Sequence, residues 1–227
     1  MPDETTYNDD FGYPKEILCE YLKNGFLFLH QGYEFILNTK TYKLSEQSRR
    51  LENLIRDDIY RKAVELLKEE SRRNRDNRFL KFSFYNEPRD VEDESDTKRL
   101  DVQINYDSDP LLPDLIIECK RLANTDKNLA YIQNGVQRFV IGRYSPTHPI
   151  AGMIGFIETG DKTEIVQNLS NKLSERPETI STIQQHKTET FPDEYANHVY
   201  HSIHKRENLQ PIELFHLMMD FCEIIEP

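Results

Sequence analysis

At 227 residues, 37% of them hydrophobic and 11% aromatic, the chain can bury one core of about 180 residues with extensions rather than several independent ones. Its 40 acidic and 29 basic residues leave a net charge of -11, which excludes a protein that coats nucleic acid through bulk positive charge; any contact with phosphate has to be local. Cys19, Cys119 and Cys222 are too scattered for a disulfide framework or a CxxC metal knuckle, and neither an export signal nor a long apolar run is present, so the expectation is a cytoplasmic protein without a membrane partner.

Residues 1–10 read as an acidic arm, and Pro14 as the opening of a short helix through Tyr21. Phe26 to Leu29 and Tyr33 to Leu37, divided by His30, Gln31 and Gly32, read either as a small hairpin or as a bent helix. From Ser45, an N-cap candidate, to about Glu70, the apolar residues Leu51, Leu54, Ile55, Ile59, Ala63, Leu66 and Leu67 fall at helical spacing. Glu52 stands beside that stripe, at the border between the buried face and solvent. Residues 1–44 are expected to form an N-terminal arm and extension, and 45–227 the main domain.

The densest basic cluster follows, SRRNRDNR from Ser71 to Arg78, leading into an aromatic strand candidate from Phe79 to Tyr85. Arg72, Arg73 and Arg75 are candidates for phosphate contact; the alternative is a solubilising helix end that suits the C-terminal dipole. Glu87 to Asp96 is acidic and reads as a solvated loop. Arg99 to Tyr106, Leu115 to Leu122 and Ile150 to Ile157 are strand candidates, the first two joined by the turn formers of DSDPLLPD. Lys127 to Arg138 and Asp161 to Leu173 suit helices. Beyond a polar stretch, Ala196 to His204 and Pro211 to Cys222 read as two strands or a strand and a helix. His198, His201 and His204 share no single face on either a strand or a helix, which makes a three-histidine metal site geometrically poor.

The chemistry sits in LLPDLIIECKRL. At a period of two, Ile116, Glu118 and Lys120 share one face of an otherwise core-like strand, and Leu115, Ile117 and Cys119 the other. A charge on a half-buried strand is costly unless it is paired or binds a metal. Glu118 and Lys120 forming a simple buried pair is the plain alternative. On the preceding strand candidate, RLDVQI, Asp101 falls where a hairpin brings it against Glu118, giving two hard oxygen ligands of the kind magnesium prefers. Lys120 would then position or help deprotonate an attacking water and offset charge in the transition state. The literal Pro113-Asp114 is a decoy: Asp114 lies four residues before Glu118, about 13 Å away along one strand.

These residues resemble the PD-(D/E)XK nuclease superfamily, whose pattern is an acidic residue on a first helix, an Asp opening a strand, and (D/E)-x-K on the paired strand. The matching positions are Glu52, Asp101 and Glu118-Cys119-Lys120, and Leu100 stands where the motif's name places Pro. The resemblance covers roughly residues 45–160. It implies an α/β fold with a restriction-endonuclease-like core, a central mixed sheet flanked by helices. It also implies divalent-metal-dependent phosphodiester hydrolysis, leaving 5′-phosphate and 3′-hydroxyl ends. Asp101, Glu118 and Glu52 would be ligands for Mg2+ or Mn2+, with the Cys119 carbonyl as a further one, and Lys120 would be catalytic. Such families often follow the motif strand with a helix whose polar residues face the site; here Tyr131, Gln133, Asn134 and Gln137 are candidates, Gln133 and Gln137 for substrate. Arg121, Arg138 and Arg143 are further candidates for a local positive groove.

Two functional readings follow. One is a nuclease, on DNA rather than RNA, serving prokaryotic restriction, repair or antiviral defence as a homodimer or within a complex, because the net charge leaves a lone chain little affinity for nucleic acid. The other is a catalytically inactive module on the same fold that binds nucleic acid or a protein.

Overall fold

Apolar residues recur at Leu18, Tyr21, Leu22, Phe26, Leu29, Tyr33 and Ile36, a continuous stripe at helical spacing, and all are buried. They belong to a single unbroken helix, α1 (Lys15–Leu37), which continues the short helix expected through Tyr21 and decides for helix over hairpin at Phe26 to Leu37. In the computed structural model the described residues are 15–43, 48–85, 101–106, 114–123, 127–186 and 191–226. The expected acidic arm, the N-cap at Ser45, the acidic loop at 87–96 and most of the DSDPLLPD turn lie outside them.

Helix α2 (Ser48–Arg73) packs along α1. Its Leu51, Ile55, Ile59, Ala63 and Leu67 are buried in the same apolar cluster as the α1 stripe. No seam separates residues before and after 44, because α1 shares one core with the sheet it covers. At the helix crossing, a Cβ on Gly32 would stand 2.7 Å from the Ile59 carbonyl oxygen, so only glycine allows this approach.

Seven strands among the described residues form one mixed sheet. In chain order they are β2 (Phe82–Tyr85), β3 (Val102–Tyr106), β4 (Leu115–Leu122), β5 (Ile150–Ile157), β6 (Thr179–Gln185), β7 (Val199–Arg206) and β8 (Leu209–Asp220). The spatial order is β2-β3-β4-β5-β8-β7-β6, with β4, β5 and β8 parallel and the outer pairings antiparallel. A small parallel pair, β1 (Tyr42–Lys43) with β9 (Ile225–Glu226), lies apart from it. Strand β5, IAGMIGFI, is buried along its whole length, as a central parallel strand covered on both faces should be.

Leu115, Ile117 and Cys119 of β4 join the α1 and α2 cluster, whereas Leu122 joins a second cluster. That second cluster contains α3 (Lys127–Tyr131), a π turn (Ile132–Val136), α4 (Gln137–Val140) and α5 (Lys162–Ser174). The fold is therefore α/β, a mixed sheet between helical layers. Asp161 caps α5 through its side chain, accepting from the Glu164 amide. Two further expectations need correction. Phe79 belongs to a 3-10 turn (Arg78–Leu80) ahead of β2, and the polar stretch after α5 contains the edge strand β6, of which Ile183 alone is buried. Among the described residues, no helix is long and apolar enough to cross a membrane.

Gly32→Ala is expected to lower stability by roughly 1–3 kcal/mol, because the overpacked crossing outweighs the gain in helix propensity. A urea denaturation midpoint that rises or stays level would contradict the close approach.

Candidate active site

The β3–β4 ladder ends at the pair Val102 and Ile117, yet β4 runs on to Leu122. Past that point no strand among the described residues bonds the β4 amides that face β3, and buried amides must find acceptors. Side-chain carboxylates supply them. Asp101 Oδ2 accepts from the Cys119 amide at 2.8 Å, and Glu52 Oε2, from α2, accepts from the Arg121 amide at 3.2 Å. Asp101 immediately precedes β3, and continuing the register sets it opposite Glu118. The site is thus a fork between two strands, closed by a helix.

The Lys120 ammonium lies inside the fork. Its Nζ is 2.6 Å from Glu118 Oε1, 2.7 Å from the Cys119 carbonyl oxygen, 3.5 Å from Asp101 Oδ2 and 3.8 Å from Glu52 Oε1. Two arginines fix the outer sides of the carboxylates. Arg56, one helical turn after Glu52, donates to Asp101 Oδ1 at 2.6 Å, and Arg138 donates to Glu118 Oε1 at 2.9 Å and to Tyr144 Oη at 2.8 Å. The Arg138 guanidinium also lies over the Tyr144 ring. Glu52, Asp101 and Glu118 are thereby set against Lys120, Arg56 and Arg138.

Burial and neighbours divide the carboxyl groups. Glu118 is 1% exposed, and burial together with nearby Asp101 pushes it up to about 8, against the pull of Lys120 and Arg138. Burial also raises Glu52. Asp101 moves the other way despite its burial, because Lys120, Arg56 and the Cys119 amide all favour its charged form. The carboxylates raise Lys120, which therefore remains an ammonium that donates and neutralises.

The donors gathered here are hard oxygens, although the Glu52, Asp101 and Glu118 carboxylates do not offer ligand atoms that all lie within 4.8 Å of one another. Four oxygens, from Glu52, Asp101, Glu118 and the Cys119 carbonyl, surround one cationic point, and Glu118 Oε2 is buried without a hydrogen-bond partner. All are oxygen ligands of the type Mg2+ and Mn2+ take.

The other candidates are distributed differently. Asp114 accepts from Gln103 at the far end of β4, so Asp101 is the residue brought to Lys120. Gln133 and Gln137 were expected to share a helix face. The π turn adds a residue between them and breaks that phase: Gln133 is exposed, and Gln137 accepts from Arg176. The turn instead directs Gly135 and Arg138 inward. A Cβ on Gly135 would press on Met153 Cε at 2.6 Å and approach Lys120 Cγ at 3.6 Å, so glycine lets this helix lie against the lysine stem.

Tyr131 is buried against His216, with Asn134 exposed. Arg121 pairs with buried Glu158, as does Lys127. Arg72, Arg73 and Arg75 are exposed at or just beyond the far end of α2, about 30 Å along the helix from Glu52, and Arg73 pairs with Glu69 and Glu70. Proximity to the carboxylates gives no support for their contacting substrate there. His198, His201 and His204 do not converge: His198 stacks near His30, His201 bonds Glu213, and His204 bonds Ser202.

Sequence reasoning missed Arg56 and Tyr144. The spacing of Glu52 and Arg56, four apart beside the buried stripe, was the available signal for the first. Comparison with protein-family models, curated proteins and solved structures finds no match to this chain.

Arg56→Ala should cost about 1–3 kcal/mol, because half-buried Asp101 loses its shortest charged partner and keeps only Lys120 and the Cys119 amide. A loss in urea denaturation no larger than that of an exposed charge would refute the pairing. The raised Glu118 gives a second expectation. Between 4.5, its ordinary value, and about 8 the folded chain holds a proton that the unfolded chain releases. Its contribution is fully present below pH 4.5 and lost as pH rises through 8, so wild type should lose stability relative to Glu118→Gln across that window. Parallel denaturation curves at every pH would show that Glu118 titrates normally.

Proposed function

We propose that this chain is a divalent-metal-dependent nuclease with a restriction-endonuclease-like core, hydrolysing phosphodiester bonds of DNA in preference to RNA. The observation that carries the reading is the convergence of Glu52, Asp101, Glu118 and the Cys119 carbonyl on the Lys120 ammonium at a strand fork. The likeness to the PD-(D/E)XK pattern, in residue types and in their placement on a helix and two paired strands, supports the same reading.

Glu52, Asp101, Glu118 and the Cys119 carbonyl would hold Mg2+ or Mn2+. Bound there, the ion supplies Lewis acidity to the scissile phosphate and acidifies water. Arg56 fixes Asp101, and Arg138 fixes Glu118, so neither carboxylate has to reorganise when substrate arrives. Lys120 orients water through its N–H groups and offsets negative charge growing on the phosphate oxygens. The net charge of -11 favours action as a homodimer or within a complex, which supplies affinity for nucleic acid that one chain lacks. Restriction or antiviral defence in the cytoplasm is the setting that such a restrained nuclease fits.

The direct test incubates the chain with plasmid, single-stranded DNA and RNA in Mg2+ or Mn2+, with and without chelator. Wild type should cut DNA only with metal, leaving 5′-phosphate ends. Lys120→Ala should lose on the order of a hundredfold or more in rate while remaining folded. Equal inertness of wild type and variant on every substrate, with candidate partner proteins present, would defeat the proposal.

A further inference from the structure

A second group of ligating side chains lies on the opposite wing of the sheet, on strands the proposed nuclease site does not use. His186 follows β6 directly, its amide bonded to the Val199 carbonyl, while His201 lies on β7 and Glu213 on β8. The strand registers set the three on one face, running diagonally across neighbouring strands. Their ligand atoms all lie within 4.8 Å of one another.

The local contacts are those of a pocket built for a cation. His201 Nδ1 is 2.8 Å from Glu213 Oε1, and Lys15, at the start of α1, holds the other carboxylate oxygen at 2.5 Å. Both Glu213 oxygens are thus engaged, and an ion would take Oε1 in place of its contact with His201. His186 is boxed between the rings of Phe191, Phe215 and His201, at centroid distances of 5.1, 5.4 and 4.9 Å. Both of its ring nitrogens are buried and neither has a hydrogen-bond partner among the described residues. A buried imidazole without a partner is costly, and nothing in the packing of β6 calls for one.

We propose that His186, His201 and Glu213 form a second metal site, for zinc or a similar borderline divalent ion, which fastens β6 to the rest of the sheet. Two imidazoles and a carboxylate form a donor set typical of zinc, with a fourth position left for water. Donors on a tetrahedral zinc stand roughly 3.4 Å apart, so the set has to close by on the order of 1 Å, which the untethered His186 ring allows. The site has a structural task. The β6–β7 ladder is broken by register shifts between Thr179 and Ser181 and between Ser181 and Gln184, and β6 buries little apolar surface, so an ion joining β6, β7 and β8 replaces lost pairing.

The test titrates zinc into the chelator-stripped full chain, by calorimetry and by competition with a chromophoric chelator, in wild type, His186→Ala, His201→Ala and the Asp101→Asn, Glu118→Gln double variant. Expected is one equivalent per chain that persists in the double variant and is lost in both histidine variants. Zinc should also raise the thermal midpoint of wild type but not of His186→Ala, whose circular dichroism should match wild type without metal. Cobalt in place of zinc should give the intense visible absorption of a four-coordinate ion. The site is overturned if the double variant binds no zinc, or if His186→Ala binds as many equivalents as wild type and keeps the thermal shift. Because the double variant removes the fork carboxylates and spares the histidines, failure of either reading is distinguishable from failure of the other.

Discussion

The premature end of the β3–β4 ladder is the constraint around which this molecule is organised. Once β3 stops at Val102, the amides of Cys119 and Arg121 need acceptors in a place where water is largely excluded. Asp101 and Glu52 meet that need, and in doing so they are fixed in position and brought next to Glu118 and Lys120. The same bonds that complete the sheet therefore assemble the carboxylates. Helix α2 has to lie where it does because Leu51, Ile55 and Ile59 bury one face of it, and Glu52 and Arg56 project from the margin of that face. Core packing sets the reach of both side chains.

Such a cluster is a poor source of stability. Bringing six ionisable groups together, with Glu118 and Arg56 buried and the others half-buried, costs solvation that their mutual attraction returns only in part, and apolar residues of similar volume would fill the space at least as well. What the cluster provides is preorganisation: acceptors held in place by arginines and amides, with an ammonium among them and one Glu118 oxygen unpartnered. The raised Glu118 and lowered Asp101 express the same division, one carboxyl group reluctant to ionise beside another held ionised.

Much of this was legible in the residues. The stripe of α2, the alternation through LIIECK, the apolar run of β5 and the helix expected from Asp161 to Leu173 each carry a local signal strong enough to survive folding. The choice of Asp101 over Asp114 rested on strand spacing alone, and the register places Asp101 at the fork. What stayed hidden depended on tertiary context. Gly32 within HQG looked like a break in α1 because its role, admitting the α2 backbone, exists only once two helices cross. Strand β6 is polar because it is an edge, so it lacks the apolar alternation that marks interior strands. Arg138 could be noticed as a positive charge, but its pairing with Glu118 depends on a helical irregularity that no composition rule announces.

That irregularity makes the helix after β4 unusually sensitive to length. An α-helix advances about 100° per residue, and the π turn at Ile132–Val136 holds one residue more than a regular helix would over the same rise. Removing one residue there would let the segment relax into an ordinary helix with better hydrogen bonds, and would swing Arg138 about a quarter-turn away from Glu118. A single-codon deletion in a well-ordered helix would thus improve the local backbone and disarm the carboxylate it serves. For this segment, chain length is as much a functional variable as side-chain identity.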